Sequence, residues 1–246
     1  MEIISPPQTK NRKSLWLKYA TILVFLILAF TAVLITSPPE SKGLGESSEL
    51  FSAQRAFLHT EEIAQAPHMT GSLEHDRVCS YIFDELERIG LQTQIQSTPF
   101  VNFDDYILYS NITNVIGRLP GTDNSKAIMM VGHYDTQPHT PGAADDGVAV
   151  AAMLEAAETL KNHHKLKNDI IFLFTDAEEV GLIGAEAFAE EHPWMEDVGL
   201  ILNLEARGNK GPAVAFEVSD QNGWLIKEFI KGVERPFAAS MMYEVY

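Results

Sequence analysis

The sequence predicts an α/β fold in which helices cover both faces of a mixed, mostly parallel central sheet, preceded by one transmembrane helix. Short, continuously apolar stretches alternate with helical stretches after residue 120. Strands of this kind are typical of a sheet buried on both faces. A long uncharged stretch lies near the N-terminus, and the chain as a whole has 46% hydrophobic and 21% charged residues, as globular proteins do.

The predicted transmembrane helix covers residues 19–36, which carry no charge. At about 1.5 Å per residue, roughly 20 residues cross a hydrocarbon core of about 30 Å. Residues 1–18 contain four basic residues, including Lys10, against the single acid Glu2. This flank predicts a cytoplasmic N-terminus, with the rest of the chain periplasmic, extracellular or lumenal. A cleaved signal peptide is the alternative, but Thr36-Ser37-Pro38-Pro39 contains no small-x-small cleavage site.

Residues 37–48 predict a linker, and residues 49–246 the domain. A first helix is predicted over Glu49–Ala66. A second is expected to begin after the N-cap Ser72 and to end at Ile89, before Gly90. The later elements follow the apolar periodicity: strands Leu91–Val101, Tyr109–Arg118, Ala127–Gly132, Asp169–Thr175 and Gly199–Leu204, and helices Gly147–Lys161, Leu182–Glu191 and Trp224–Gly232.

Charge and cysteine content exclude two classes of function. The net charge is −16 although the N-terminal flank is basic, so the remaining chain repels phosphates and no nucleic acid partner is expected. Cys79 is the only cysteine, which excludes an intrachain disulfide and a thiolate zinc site. His75 and His192 are expected to be surface or packing residues.

Candidate metal ligands follow each of the three apolar strands. His133 and Asp135 follow the first, Glu178 and Glu179 the second, and Glu205 the third. In open α/β sheets the ligand crevice lies outside the carboxyl ends of the strands, so these side chains are expected to meet. Each of these short patterns occurs commonly without function, and it is their joint order that indicates a site.

Two further aspartates, Asp145 and Asp146, lie at the start of the alanine-rich helix, where the helix dipole favours carboxylates. Gly142 would let the chain turn back sharply toward the crevice. Crowded carboxylates are unfavourable unless a cation neutralises them. Imidazole and carboxylate ligands without thiolates suit zinc, with manganese or cobalt as alternatives, and two metals would need a bridging carboxylate.

Taken in order, these motifs resemble the aminopeptidase Y type of zinc exopeptidases. The matching segments are His133-Tyr134-Asp135, Gly142-Ala143-Ala144-Asp145-Asp146, Glu178-Glu179 with Gly181-Leu182, Asn203-Leu204-Glu205, and the opening segment Pro67–Ser72. The likeness covers roughly residues 50–246. It points to the transmembrane branch, which includes the endoplasmic reticulum metallopeptidase and the vacuolar membrane protease. The fold implied is phosphorylase/hydrolase-like.

The resemblance also implies roles. His133 would bind one of two zinc ions, with Asp135 orienting its imidazole, and Asp145 would bridge both ions. Glu178 would be the general base. Glu179 and Glu205 would complete the ligand set, although soluble members often have Asp at the position of Glu205. The substrate implied is a peptide with a free N-terminus. Arg207 could contact a carboxylate near Glu205.

The family pattern also requires a final histidine downstream of Glu205, and no histidine follows His192. The chain is therefore expected to be C-terminally truncated, and the fragment itself could be inactive. The same fold also carries glutaminyl cyclisation and carboxypeptidase cleavage, and the walls of the pocket that would decide among them are expected beyond Tyr246. A non-catalytic, receptor-like ectodomain is the alternative from another class.

Overall fold

The structure, a computed structural model, describes residues 12–37, 39–102, 108–123, 126–163, 166–206, 208 and 211–238. Lys10 of the predicted basic flank and Arg207 lie outside the described residues. The helices are α1 (Arg12–Thr36), α2 (Ala53–Ile63), α3 (Leu73–Ile89), α4 (Val148–Asn162), α5 (Ile183–Glu191) and α6 (Gly223–Gly232). The strands are β1 (Gln92–Asn102), β2 (Leu108–Leu119), β3 (Ala127–His133), β4 (Ile170–Thr175) and β5 (Val198–Asn203).

The described strands form one mixed sheet in the order β1-β2-β4-β3-β5. β3 pairs parallel with both β4 and β5, whereas β2 pairs antiparallel with β1 and with β4. Only β2 therefore runs against the common direction, which confirms the predicted mixed, mostly parallel sheet. The carboxyl ends of β3, β4 and β5 consequently lie at one edge of the sheet.

Strand β4 buries both of its faces, whereas the edge strand β5 leaves Ile201 and Leu202 46% and 42% exposed, so the predicted burial of both faces does not extend to β5. On one face, Phe172 and Phe174 of β4 join a core formed with α2, α3 and α4. On the other face, Ile171 and Leu173 pack in a cluster with Phe188 of α5. Because successive side chains of a strand point to opposite faces, a strand buried on both faces is apolar along most of its length, and five of the six residues of β4 are large and apolar.

Helix boundaries follow their caps. α3 begins after Ser72, whose side chain accepts a hydrogen bond from the His75 amide, and it ends at Gly90 with φ of 84° in the left-handed region, as predicted. α2 begins four residues later than predicted. Its N-cap is Ser52, whose hydroxyl accepts from the Arg55 amide at 3.2 Å.

The chain divides into two compact units. Ser41–Asn209 contains α2–α5, the sheet and every predicted metal ligand. The other unit comprises Met1–Glu40 and Lys210–Tyr246 and includes α1 and α6. Residues Leu15–Thr36 of α1 have a mean hydropathy of 2.5 and are long and apolar enough to cross a membrane.

Candidate metal centre

His133 lies at the centre of a group of carboxylates at the carboxyl end of the sheet. It is the last residue of β3, paired with Thr175 of β4, and its side chain is 2% exposed. Its Nε2 lies 3.1 Å from Asp145 Oδ1 and 3.9 Å from both Glu178 Oε2 and Glu205 Oε1. The structure thus brings together side chains from four separate segments, as the strand-end pattern predicts.

The loop before α4 aims its two aspartates differently. Gly142 has φ of 67°, and a Cβ there would lie 2.2 Å from Thr136 Cγ2, so the sharp turn requires glycine. Asp145 has non-helical φ and ψ of −124° and 93°. Its side chain is 54% exposed at the crevice, whereas Asp146 is buried.

Asp135 holds the loop that carries the two glutamates. Its carboxylate oxygens accept hydrogen bonds from the amides of Glu178 at 3.0 Å and Glu179 at 3.2 Å. His133 Nδ1 lies 3.0 Å from the main-chain oxygen of Asp135 and 3.5 Å from its carboxylate. Asp135 is therefore placed to fix both the histidine ring and the glutamate loop.

The two glutamates have different surroundings. The ligand atoms of His133, Asp145 and Glu205 all lie within 4.8 Å of one another, a group that Glu179 does not join. Glu179 Oε2 accepts a hydrogen bond from Gln137 Nε2 at 2.6 Å. Its Oε1 is buried without a hydrogen-bond partner among the described residues. Glu178 faces the crevice, with 28% of its side chain exposed.

The local electrostatics show that negative charge is concentrated here. Burial acts to lower the pKa of His133, but the hydrogen bond and charge of Asp135, with Asp146 and Glu178, outweigh burial and raise it to about 10. Burial raises the pKa of Asp146 to about 8. The charges of Glu205 and Asp145 also raise it, whereas the charge of His133 lowers it. Burial also raises the pKa of Glu178, against the attraction of His133.

The donor set fits a zinc ion. One imidazole nitrogen and several carboxylate oxygens converge, without a thiolate, and their charge favours a cation. His133, Asp145 and Glu205 form the compact group. A further donor is the buried Oε1 of Glu179, the neighbour of Glu178 in the chain, which has no hydrogen-bond partner among the described residues.

One supporting residue was missed in the sequence. Asp176 is fully buried two positions before Glu178 and accepts a hydrogen bond from His75 Nε2 at 2.9 Å. His75 is thus a packing residue with a specific polar partner. Its position three residues after the N-cap Ser72 gave no signal of that partner, which is 101 residues away.

Comparison with known proteins places this geometry in a family. The sequence profile of Peptidase family M28 matches residues 114–246, which include every predicted metal ligand. The chain belongs to peptidase family M28. The predicted resemblance to a family of metallopeptidases is therefore confirmed.

Two curated relatives match most of this chain. The chain is 30% identical over 249 residues to the putative endoplasmic reticulum metallopeptidase 1-A of Caenorhabditis elegans, covering 93% of this chain and 28% of that protein. It is 34% identical over 202 residues to the vacuolar membrane protease of Candida tropicalis, covering 77% of this chain and 21% of that protein. The chain thus spans between 21% and 28% of the length of these relatives.

Solved structures share the fold. A glutaminyl cyclase from Porphyromonas gingivalis superposes with a TM-score of 0.64 at 21% identity, covering 77% of this chain and 76% of that chain. A zinc aminopeptidase from Bacillus subtilis superposes with a TM-score of 0.57 at 13% identity, covering 64% and 70% of the two chains. At these identities the likeness establishes the fold alone.

Proposed function

We propose that this chain is the membrane-anchored catalytic part of a zinc aminopeptidase with two metal ions. The observation that carries the proposal is the convergence of His133, Asp145 and Glu205, with Glu178 on the crevice side 3.9 Å from the His133 ring. The membership in a family of metallopeptidases and the zinc aminopeptidase among the solved structures support it.

His133, Asp145, Glu179 and Glu205 would hold the metals. The resemblance to the zinc exopeptidases implies that Asp145 is the bridging ligand, and its half-exposed carboxylate lies 3.1 Å from His133 Nε2. Zinc in such a site supplies Lewis acidity toward a water molecule and a peptide carbonyl. Glu178 would accept the proton of that water and deliver it to the leaving amine. Burial raises the pKa of Glu178, which makes its carboxylate a stronger base than that of an exposed glutamate. Asp135 would keep Glu178 in place through the amide contact.

The membrane part of the proposal rests on α1. Its span Leu15–Thr36 and the name of the vacuolar membrane protease among the relatives support insertion. With the basic flank on the cytoplasmic side, the metal centre would lie outside the cytoplasm. Substrates would then be peptides that reach a lumenal, periplasmic or extracellular space.

Glu178→Gln tests the assignment of the base. In the purified protein, we expect hydrolysis of aminoacyl-4-nitroanilides to fall by at least about 10²-fold, with zinc content unchanged. Zinc would be counted by inductively coupled plasma mass spectrometry. Glu190→Gln, on the exposed surface of α5, is the matched control and should keep full activity. Loss of zinc together with activity would show that Glu178 is a ligand and not the base.

Glutaminyl cyclisation is the second candidate, because a solved glutaminyl cyclase superposes over three-quarters of the chain. A peptide with N-terminal glutamine distinguishes the two reactions by mass spectrometry. Cyclisation removes ammonia and keeps the residue, whereas aminopeptidase action removes the whole glutamine.

A further inference from the structure

An apolar groove lies on the surface of α2 beside the chain segment that precedes it. Leu44, Phe57 and Leu58 leave 54%, 59% and 52% of their surface exposed. The groove has a volume of about 460 Å³, and its lining contains no ionisable side chain among the described residues: Ser41, Leu44, Ala53, Gln54, Phe57 and Leu58. Three large apolar side chains are thus exposed side by side along a groove whose lining carries no charge.

The segment that forms one wall of the groove is fixed to α2 by hydrogen bonds. Ser52 Oγ donates to the main-chain oxygens of Lys42 at 3.2 Å and Gly43 at 2.9 Å. The Leu44 amide donates to Gln54 Oε1 at 3.1 Å. Although residues 37–48 were predicted as a linker, the chain from Lys42 onward thus follows the surface of α2.

A buried ion pair ties the same segment to the sheet-covering helix α4. Arg55 Nη2 lies 2.7 Å from Glu155 Oε1, whose side chain is 1% exposed. Arg55 also donates to the main-chain oxygens of Glu46 at 3.0 Å and Leu50 at 2.6 Å, and the Ser52 amide donates to Glu155 at 2.8 Å. The groove is therefore rigidly connected to the helix that follows Asp145 and Asp146.

Chain length keeps the groove close to the end of α1. The helix ends at Thr36, and the first residue bound to α2 is Lys42. The five residues between them can extend over at most about 20 Å, since an extended chain spans roughly 3.3–3.6 Å per residue. If α1 crosses the membrane, Lys42, at the start of the groove, therefore lies within about 20 Å of the end of the helix.

We infer that the groove of Leu44, Phe57 and Leu58 rests on the surface of the bilayer that holds α1, with these side chains among the lipid headgroups and upper acyl chains. The inference rests on the membrane anchoring in the proposed function. The uncharged lining suits a zwitterionic lipid, because it offers no cation for an anionic headgroup. Leucine and phenylalanine are the side chains that interfacial helices bury at this depth. Seated in this way, the unit that contains the metal centre would keep one fixed orientation to the membrane.

The test is the membrane depth of Phe57 in the full chain, reconstituted in phosphatidylcholine nanodiscs. A nitroxide is attached to Phe57→Cys in a Cys79→Ala background, since Cys79 is the only native cysteine. Leu73→Cys is the matched control, because Leu73 is an apolar residue that is 89% exposed on α3, away from the groove. Electron paramagnetic resonance then measures collisions with oxygen, which partitions into lipid, and with a water-soluble nickel chelate.

We expect the label at position 57 to collide with oxygen more often, and with the nickel chelate several-fold less often, than the label at position 73. Equal collision rates at the two positions would show a groove exposed to water and overturn the inference. Shielding of position 57 from both reagents would overturn it as well, because protein would then cover the groove. Alkaline carbonate extraction tests the anchor separately. Release of the protein from vesicles would refute the anchoring and, with it, the inference. Retention of the protein together with a water-exposed position 57 would refute the inference alone.

Discussion

Asp176 is the residue through which the end of β4 is fixed to the rest of the unit. Its buried carboxylate accepts hydrogen bonds from His75 Nε2 at 2.9 Å, Thr70 Oγ1 at 2.8 Å and the Thr113 amide at 2.8 Å. Its own amide donates to Asn114 Oδ1 at 3.1 Å. Because Glu178 follows two positions later, these contacts define where the glutamate loop begins.

His75→Phe should therefore destabilise the fold. The phenyl ring can keep the stacking on Tyr134, whose centroid lies 4.8 Å from that of His75, but it cannot donate to Asp176. Leaving a buried carboxylate short of one donor costs about 1–3 kcal/mol. Urea denaturation measures the free energy of unfolding, with His139→Phe on an exposed loop as the control. A loss no greater than that of the control would contradict the importance of this hydrogen bond.

His192 gives the fold a pH dependence at a site away from the metal ligands. Its Nδ1 accepts from the Trp194 amide at 3.2 Å, so the neutral ring donates from Nε2 to Gln94 Oε1, also at 3.2 Å. The ring stacks on Phe188 with centroids 4.7 Å apart, and burial lowers its pKa below the ordinary value of 6.5.

Protonation is therefore favoured in the unfolded chain. Below a pH of about 6.5 the unfolded state binds more protons at His192, so the contribution of this residue is complete above that pH and is lost as the pH falls. Proton NMR of the His192 ring should give a pKa below 6.5 in the folded chain and the ordinary value in urea. The same pKa in both states would remove this contribution.

At the scale of elements, the sequence predicted helix boundaries that depend on local caps, but not a boundary that depends on contacts with distant residues. The ends of α3 follow from Ser72 and Gly90, both visible in the sequence. The start of α2 was wrong by four residues because Ser52 is buried by contacts with Lys42, Gly43 and Glu155, which lies 103 residues away. A sequence pattern does not carry such a tertiary contact.

Helix α5 begins in close contact with the strand ends. A Cβ on Gly184 would lie 2.3 Å from the main-chain oxygen of Asp176 and 2.4 Å from Asn114 Oδ1, so the helix can approach the strand ends only with glycine there. Gly184→Ala should lower the thermal midpoint by several degrees, in keeping with about 1–3 kcal/mol for overpacking a core. Gly223→Ala at the start of α6, where no atom lies within 4 Å, should change it little. Equal midpoints for both variants would mean that the helix shifts without cost.

At the scale of the whole molecule, the sequence predicted the position of the site, but not the different surroundings of the individual side chains in it. Parallel strands that end in polar residues must deliver them to one edge, and this placed His133, Glu178 and Glu205 together. The division between the exposed Asp145 and the buried Asp146 depends on backbone angles in the loop, which no periodicity encodes. The different partners of Glu178 and Glu179 likewise depend on Asp135 and Gln137 in space.

The chain has a net charge of −16 and gathers several carboxylates around one histidine. A cation bound among them would neutralise their charge and should therefore stabilise the folded state. A ligand that binds only the folded state adds about 2.7 kcal/mol at 100 times its dissociation constant. We expect zinc chloride to raise the thermal midpoint of the wild type, and a chelator to reverse the effect. His133→Ala should lose most of this shift, whereas Glu178→Gln should retain it, since the first removes a ligand and the second the base. An equal shift in all three proteins would mean that zinc binds to the acidic surface and not at the end of β3.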